Sequence, residues 1–185
     1  PILMHIIKNF TDQKFNEFVF CLGHKSNTII DYFLKENKKN IKVLNKAKKY
    51  IKFLYKIKKT KFLGHLIYTG LNTGTGGRIK IAYKKLKLDE DIMMTYGDGV
   101  ANVDIDALIK FHKSQGRLAT VSAVRPPARF GGISFENGIV KEFIEKPQIG
   151  EGWINGGFFV LEPGIFDYIE NDDNSFEKES LEKLA

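Results

Sequence analysis

The chain has 185 residues, of which 43% are hydrophobic and 12% aromatic, with 5 prolines, and this is enough apolar material for one domain with a sizeable core. The composition excludes a disordered tail or a fibre, and no apolar run approaches the roughly 18 residues that a membrane span needs. The single cysteine, Cys21, excludes an internal disulfide. We therefore expect a protein of the reducing cytoplasm, without a membrane partner.

The formal net charge of +7 is concentrated in one segment of the chain. Residues 35–61 contain 12 lysines, no arginine and one acid, whereas the other residues together are net negative. A nucleic-acid partner is the less favoured interpretation, because lysine lacks the bidentate fork with which arginine binds phosphate. A solvated lysine face is favoured. The apolar residues between these lysines fit a basic helix, a pair of strands or a hairpin-like insertion over residues 35–63.

Strand and helix patterns alternate along the chain. Helices are predicted from residue 1, after a cap at Ser26 or Asn27, at 78–86, after a cap at Asp104, and from Pro163. Strands are predicted at 17–22, 92–96, 118–124 and 154–161. This order predicts an α/β fold with a mainly parallel sheet flanked by helices. Asn137-Gly138, between two further apolar runs, predicts a small antiparallel hairpin.

Both ends of the sequence carry helical patterns. Pro1 opens an apolar helix, and Phe176–Ala185 stops inside another helical pattern without a capping glycine. We therefore expect an internal fragment of a longer protein, in which residues 1–185 form one truncated domain.

Two glycine-containing loops are candidates for ligand binding, because ligands of open α/β sheets bind at the carboxyl ends of the strands. Asp98, between Gly97 and Gly99, has space for a metal ion such as Mg²⁺, although a plain turn aspartate is an equal alternative. The loop 69–77 leads into a helix, and bare backbone amides there would suit an anion. A mobile connector is the alternative.

Polar residues also follow two later strand patterns. Glu145 and Lys146 could bind a sugar hydroxyl and a phosphate, or could simply decorate the surface. The glycines of Asn155-Gly156-Gly157 indicate close approach by a ligand or another backbone, or a bulge. The four histidines have no metal-ligand spacing.

These motifs, in their order, resemble the glucose-1-phosphate cytidylyltransferases among the sugar nucleotidyltransferases. The matching motifs are Gly23-His24-Lys25, Thr69-Gly70 with Thr75-Gly76-Gly77-Arg78, Thr95–Val100, Arg129-Phe130-Gly131, Glu145-Lys146-Pro147 and Ile154–Val160. The resemblance implies a Rossmann-like fold of the nucleotide-diphospho-sugar transferase type. It also implies that glucose 1-phosphate attacks the α-phosphate of CTP with Mg²⁺ as cofactor. CDP-glucose, a precursor of dideoxy sugars in bacterial surface polysaccharide, and pyrophosphate would be the products.

The resemblance also assigns roles to residues. Asp98 would bind Mg²⁺ and act in catalysis together with Lys146, which would contact the sugar phosphate. The nucleotide would be held by Gly23, Lys25, Thr75, Gly76, Gly77 and Arg78. The sugar phosphate would be held by Gly131, Glu145, Lys146, Asn155 and Gly156. The similar stretch Phe176–Leu181 is interpreted as structural, and the resemblance further implies a homo-oligomer.

The sequence departs from the family pattern in ways that keep other functions open. Tyr68, Gly74 and Ile81 stand where the family usually has aspartate, methionine and a basic residue. The family's glycine-rich phosphate loop with its lysine, and its second metal-binding aspartate, are not within these residues, so we expect this chain alone to be inactive. A sister enzyme using UTP or dTTP, a non-catalytic nucleotide- or sugar-phosphate-binding remnant, and a basic nucleic-acid-binding module are the alternatives.

Overall fold

The structure is a computed structural model that describes residues 1–125, 132–144 and 152–184. The α-helices are α1 (Ile2–Asp12), α2 (Ser26–Asp31), α3 (Thr75–Leu86), α4 (Ile105–Gln115) and α5 (Leu181–Leu184). The strands are β1 (Glu17–Leu22), β2 (Ile41–Ala47), β3 (Tyr50–Ile57), β4 (Thr60–Tyr68), β5 (Ile92–Thr95), β6 (Ala119–Val124), β7 (Gly132–Glu136), β8 (Ile139–Ile144) and β9 (Ile154–Leu161). Short 3₁₀ or π-helical turns cover Tyr32–Glu36, Lys38–Asn40, Pro163–Tyr168 and Phe176–Ser180.

The strands form a four-stranded sheet of order β1-β4-β3-β2, a three-stranded sheet of order β5-β9-β6, and the hairpin β7-β8. β1 and β4 pair in parallel, whereas the other paired strands among the described residues are antiparallel. The α/β class is confirmed, but the expected dominance of parallel pairing is wrong for this part of the chain. The reason is that β3 and β2 add to β4 as antiparallel neighbours, while β9 runs against both β5 and β6.

From residue 41 on, the lysine-rich segment forms β2, β3 and the start of β4, so strands rather than a helix make up most of it. Ile51, Phe53 and Tyr55 on alternate positions of β3 are buried. Lys42 and Lys46 on the neighbouring strand β2 are exposed. On β3 the period of two therefore puts these three apolar residues into the core, whereas the lysines of β2 lie in solvent.

Aromatic rings dominate the core beneath the four-stranded sheet. Phe33 is fully buried there and its ring centroid lies 5.5 Å from that of Phe20 and 5.0 Å from that of Phe53. Helix α1 connects this sheet to the second one, because Phe10 packs 6.1 Å from Phe18 of β1 and 6.1 Å from Phe158 of β9. The helix therefore helps to fix the relative position of the two sheets.

Local turn and cap signals in the sequence are largely confirmed. The Asp104 side chain accepts a hydrogen bond from the Ala107 amide at 2.9 Å, and Gly116 ends α4 with φ +56°. Asn137 and Gly138 both have positive φ, as a tight hairpin turn requires. The predicted cap of α2 at Ser26 or Asn27 is wrong. The residue before the helix is Lys25, which has a left-handed backbone conformation, and no side chain caps the helix.

Two further elements differ in part from expectation. Strand β1 has a continuous apolar pattern, which is typical of a buried strand, but the strand is half-exposed. Helix α3 starts at Thr75, so its first turn includes two glycines that were expected in the loop.

Among the described helices, none is long and apolar enough to cross a membrane.

The Phe33→Ala variant should be strongly destabilised, because the substitution leaves a large cavity in the aromatic core. We expect the free energy of unfolding to fall by about 3–5 kcal/mol, measured by chemical denaturation. Phe111→Ala is the matched control, since the side chain of Phe111 on α4 is 55% exposed. Equal losses in the two variants would contradict the assignment of Phe33 to the core.

Candidate active site at the strand ends

The loops with candidate residues meet where β1 and β4 end. The two strands are parallel, so the loop from Gly23 and the loop from Thr69 leave the same edge of the sheet. Thr69 joins the strand ends directly, because its backbone N–H and its hydroxyl both donate to the carbonyl of Leu22, at 2.9 and 3.0 Å. Two loops predicted to bind the nucleotide are thereby brought together.

Asp98 lies in the turn after β5 and its side chain is exposed. A Cβ atom added at Gly97 or Gly99 would meet nothing within 4 Å, and neither glycine has a positive φ. Glycine is therefore not required there by packing or by backbone conformation, and the predicted open space around the carboxylate is confirmed. The described residues contain no group of three or more potential metal-ligating side chains. Asp98 therefore fits Mg²⁺ as one protein ligand of a site in which water and substrate phosphates would take further positions.

The first turn of α3 packs against the backbone of residues 172–174. The amides of Gly74 and Gly76 donate to the carbonyls of Asp172 and Asn174, at 2.9 and 3.0 Å. A Cβ at Gly77 would lie 1.9 Å from the Asp172 carbonyl oxygen. The expectation of bare amides for an anion is wrong at Gly76, and glycine at 77 is required for close contact between two parts of the chain.

Arg78 points back into the loops that leave the four-stranded sheet. Its guanidinium donates to the Thr69 hydroxyl at 2.7 Å, to the Gly70 carbonyl at 2.9 Å and to the Leu22 carbonyl at 3.3 Å. A Cβ at Gly23 would lie 2.5 Å from the nearest guanidinium nitrogen. Arg78, predicted as a nucleotide ligand, thus holds the two loops in place, and Gly23 makes room for it.

Glu177 connects the start of α3 to the end of β5. Its carboxylate accepts hydrogen bonds from the hydroxyls of Tyr96 at 2.6 Å, Thr75 at 2.7 Å and Ser175 at 2.9 Å. The Thr75 hydroxyl in turn accepts from the Phe176 amide at 2.8 Å. Thr75, also predicted as a nucleotide ligand, is therefore already engaged as both donor and acceptor.

The pKa values of this cluster follow from burial and these hydrogen bonds. Burial raises the pKa of Glu177, but donors including the Tyr96 and Thr75 hydroxyls outweigh burial, and the pKa is lowered. Burial and the hydrogen bond to Glu177 raise the pKa of Tyr96 to about 12. At neutral pH the cluster therefore consists of a carboxylate and neutral hydroxyl groups.

Asn155 on β9 joins the same cluster. Its side-chain amide nitrogen donates to the Tyr96 hydroxyl at 3.0 Å, and its oxygen accepts from the Gly157 amide at 2.8 Å. Gly156 sits at an irregularity of the β6–β9 pairing, where a Cβ would lie 2.8 Å from the Ser122 carbonyl oxygen. Of the alternatives for Gly156, a bulge with close backbone approach is the one found.

The remaining predicted residues lie apart from this network or outside the described ranges. Lys25 is exposed beside the nucleotide loops and has a φ of +51°. Gly131, Glu145 and Lys146 lie outside the described residues. Sequence reasoning missed Tyr96, Ser175 and Glu177 as parts of the site. Tyr96 lies in the matching motif Thr95–Val100, and Glu177 lies in the similar stretch Phe176–Leu181. The resemblance therefore pointed to both positions, but no local pattern indicated that their side chains meet.

Gly77→Ala should separate α3 from residues 172–174, because the added methyl group overlaps the Asp172 carbonyl. We expect a loss of about 1–3 kcal/mol in unfolding free energy, measured by chemical denaturation. Gly99→Ala is the matched control, since a Cβ there meets open space. A Gly77→Ala variant as stable as Gly99→Ala would contradict the close backbone contact.

The contribution of Glu177 to stability should depend on pH. Because its pKa is lowered from the ordinary 4.5 on folding, the stabilisation is fully present above that value and is lost as the pH falls through the folded-state pKa. We expect the difference in unfolding free energy between the unmodified chain and Glu177→Gln to shrink from pH 7 to about pH 3. Glu179→Gln, an exposed neighbour, is the control, and a pH-independent difference for Glu177→Gln would disprove the ionised network.

Comparison with known proteins gives one consistent family. Residues 1–184 match the family described as Nucleotidyl transferase. The chain is 40% identical over 186 residues to glucose-1-phosphate cytidylyltransferase of Salmonella typhi, and 41% over 187 residues to the probable glucose-1-phosphate cytidylyltransferase of Bacillus subtilis. Each alignment covers 100% of this chain and 72% of the relative.

Solved structures support the same fold. HddC from Yersinia pseudotuberculosis complexed with GMP-PN superimposes with a TM-score of 0.65 at 24% identity, covering 100% of this chain and 73% of that one. Apo UDP-glucose pyrophosphorylase superimposes with a TM-score of 0.57 at 12% identity, covering 99% of this chain and 74% of the other. The Rossmann-like nucleotidyltransferase fold, with parallel and antiparallel strands, is thus confirmed. By its full-length sequence match and its fold, the chain belongs to the nucleotidyl transferase family, in the group of the glucose-1-phosphate cytidylyltransferases.

Proposed function

We propose that the protein transfers a cytidylyl group from CTP to glucose 1-phosphate, giving CDP-glucose and pyrophosphate. The observation that carries this proposal is the match of the whole chain, at 40% identity, to a glucose-1-phosphate cytidylyltransferase. Mannose-1-phosphate guanylyltransferases are more distant, since the rice relative aligns with 60% of this chain at 37% identity. We assign the reaction to the cytoplasm and to the supply of dideoxy sugars for bacterial surface polysaccharide.

Asp98 is the residue that we propose for holding Mg²⁺. The exposed carboxylate in an open turn at a strand end suits a cation that keeps most of its ligands from water and phosphate. When bound, Mg²⁺ neutralises negative charge on the phosphate oxygens during transfer. The sugar phosphate oxygen would displace pyrophosphate from the α-phosphate, so the main task of the protein is to hold two anions in line.

The other residues divide into ligands and supports. Asn155 has one amide N–H committed to Tyr96, and the other is available for a hydroxyl of glucose. Lys25 is an exposed cation beside the nucleotide loops. We propose Lys146 and Glu145 as ligands of the sugar phosphate from the family resemblance, together with Gly131. On the nucleotide side, we propose that the predicted residues hold the loops in position mainly through the contacts described above. These residues are Gly23, Thr75, Gly76, Gly77 and Arg78.

Asp98→Asn tests the metal assignment. In the presence of Mg²⁺, CTP and glucose 1-phosphate, we expect the complete protein that contains these residues to release pyrophosphate. The Asp98→Asn variant of that protein should be slower by roughly 100-fold or more, because the ligand charge for the cation is lost. Asp106→Asn is the matched control, since Asp106 is an exposed aspartate in the first turn of α4. Thermal melting should be nearly unchanged in both variants.

The same assay separates the alternatives. Undiminished turnover by Asp98→Asn would refute the metal role. Faster turnover with UTP or dTTP than with CTP would identify a sister enzyme. Binding of CTP or glucose 1-phosphate without pyrophosphate release would indicate a non-catalytic remnant.

A further inference from the structure

The carboxylate of Glu177 collects hydroxyl groups from different parts of the fold. Thr75 is the first residue of α3, and Tyr96 directly follows β5, two residues before Asp98. Their hydroxyls donate to the two oxygens of the same carboxylate, at 2.7 and 2.6 Å. Ser175 provides a third hydroxyl donor. Because an ionised carboxylate can only accept hydrogen bonds, all three hydroxyl groups must direct their protons towards Glu177.

The direction of the hydrogen bonds continues from Glu177 to Asn155. The Tyr96 hydroxyl has one proton and gives it to Glu177, so towards Asn155 it can only accept. The Asn155 amide nitrogen therefore faces Tyr96, and the amide oxygen faces the Gly157 backbone N–H. No described residue accepts from the second N–H of this amide, which leaves it as a donor with a fixed direction.

The Tyr96 ring is itself held in place. Gly157 has a φ of +78°, and a Cβ there would lie 2.8 Å from the ring. The ring of Phe159 packs edge-to-face against Tyr96 at a centroid distance of 5.9 Å. Packing fixes the position of the Tyr96 ring, and Glu177 fixes the direction of its hydroxyl proton. The side-chain amide of Asn155 can therefore adopt only one orientation.

We propose that Glu177 is a positioning residue for the sugar-phosphate side of the site, acting through Tyr96 on the amide of Asn155. The proposal rests on the proposed function for its kinetic readout. Glutamine at 177 would present an amide that can donate towards Tyr96, and the hydroxyl could then turn its proton towards Asn155. The fixed direction of the Asn155 amide would be lost, while the fold would remain.

Kinetics of the complete protein that contains these residues test this proposal. We expect Glu177→Gln and Tyr96→Phe each to raise the KM for glucose 1-phosphate about tenfold, with the KM for CTP changed by less than about twofold, since only the sugar side loses an oriented hydrogen bond. The double variant should be no worse than either single variant, because both break the same connection. An equal rise in both KM values, or multiplied effects in the double variant, would overturn the proposal.

Two control variants separate positioning from general stability. Glu179→Gln neutralises an exposed glutamate in the same helical turn, and Glu182→Gln neutralises an exposed glutamate in the following helix α5. Both should keep the KM for glucose 1-phosphate unchanged. A rise in Glu179→Gln equal to that in Glu177→Gln would indicate a general effect of charge or stability and contradict the proposal.

A measurement without turnover keeps the two proposals separable. The side-chain amide NMR resonances of Asn155, identified by their loss in Asn155→Asp, should shift in Glu177→Gln and Tyr96→Phe but not in Glu179→Gln. Unshifted resonances in Glu177→Gln would refute the positioning role whatever the kinetics show. If the complete protein released no pyrophosphate, the proposed function would fail, and the resonances would still decide the role of Glu177.

Discussion

The arrangement of the site depends on one close backbone contact, where residues 172–174 cross the first turn of α3. The Asp172 and Asn174 carbonyl oxygens lie so near that a Cβ at Gly77 or Gly74 would be 1.9 or 2.2 Å away from them. Only glycine allows this approach. Because Glu177 follows directly in the chain, this contact places its carboxylate within reach of Thr75 and Tyr96. Gly74 and Gly77 therefore affect the site by allowing residues 172–174 to come close to the start of α3.

Helix α3 contacts both sheets and so fixes the position of its first turn relative to them. Arg78 ties the helix to the loops after β1 and β4 through Leu22, Thr69 and Gly70. One turn later, Tyr83 packs on Phe166 at a centroid distance of 4.1 Å, within the core of the second sheet. Together with α1, whose Phe10 also contacts both sheets, the helix makes the strand ends a fixed frame for the loops. Rigid support of this kind is what a transfer reaction with two aligned anions needs.

The sequence predicts elements well where the signal is local and poorly where the reason lies across the fold. The helix cap and turn signals were predicted correctly at Asp104, Gly116 and Asn137-Gly138. These residues interact only with residues close to them in the sequence, so the local pattern is sufficient. The pairing of β9 between β5 and β6 has no local signal, which is why the parallel content was overestimated. Within the site, the open turn at Asp98 was readable.

The contacts of the glycine-containing loop 69–77 could not be predicted from the sequence. A glycine that leaves space for a ligand and a glycine that leaves space for another backbone segment have the same sequence pattern. Gly97 and Gly99 have free space, while Gly74 and Gly77 are filled by residues 172–174. Only the fold separates the two classes. In the first turn of α3, the Gly76 amide donates to the Asn174 carbonyl and is therefore not free for an anion.

The charges of the described residues indicate that they orient the substrates more than they neutralise phosphate charge. Glu177 is an anion beside the start of α3, and the Arg78 guanidinium donates to carbonyls and to the Thr69 hydroxyl. Neither group can neutralise a triphosphate, and Glu177 would repel one at short range. Among the predicted ligands that the structure describes, Lys25 is then the cation that remains exposed for a phosphate. The described part of the site therefore supplies orientation, through hydroxyl and amide groups. The proposed function assigns most of the charge compensation to a cation at Asp98 and to Lys146.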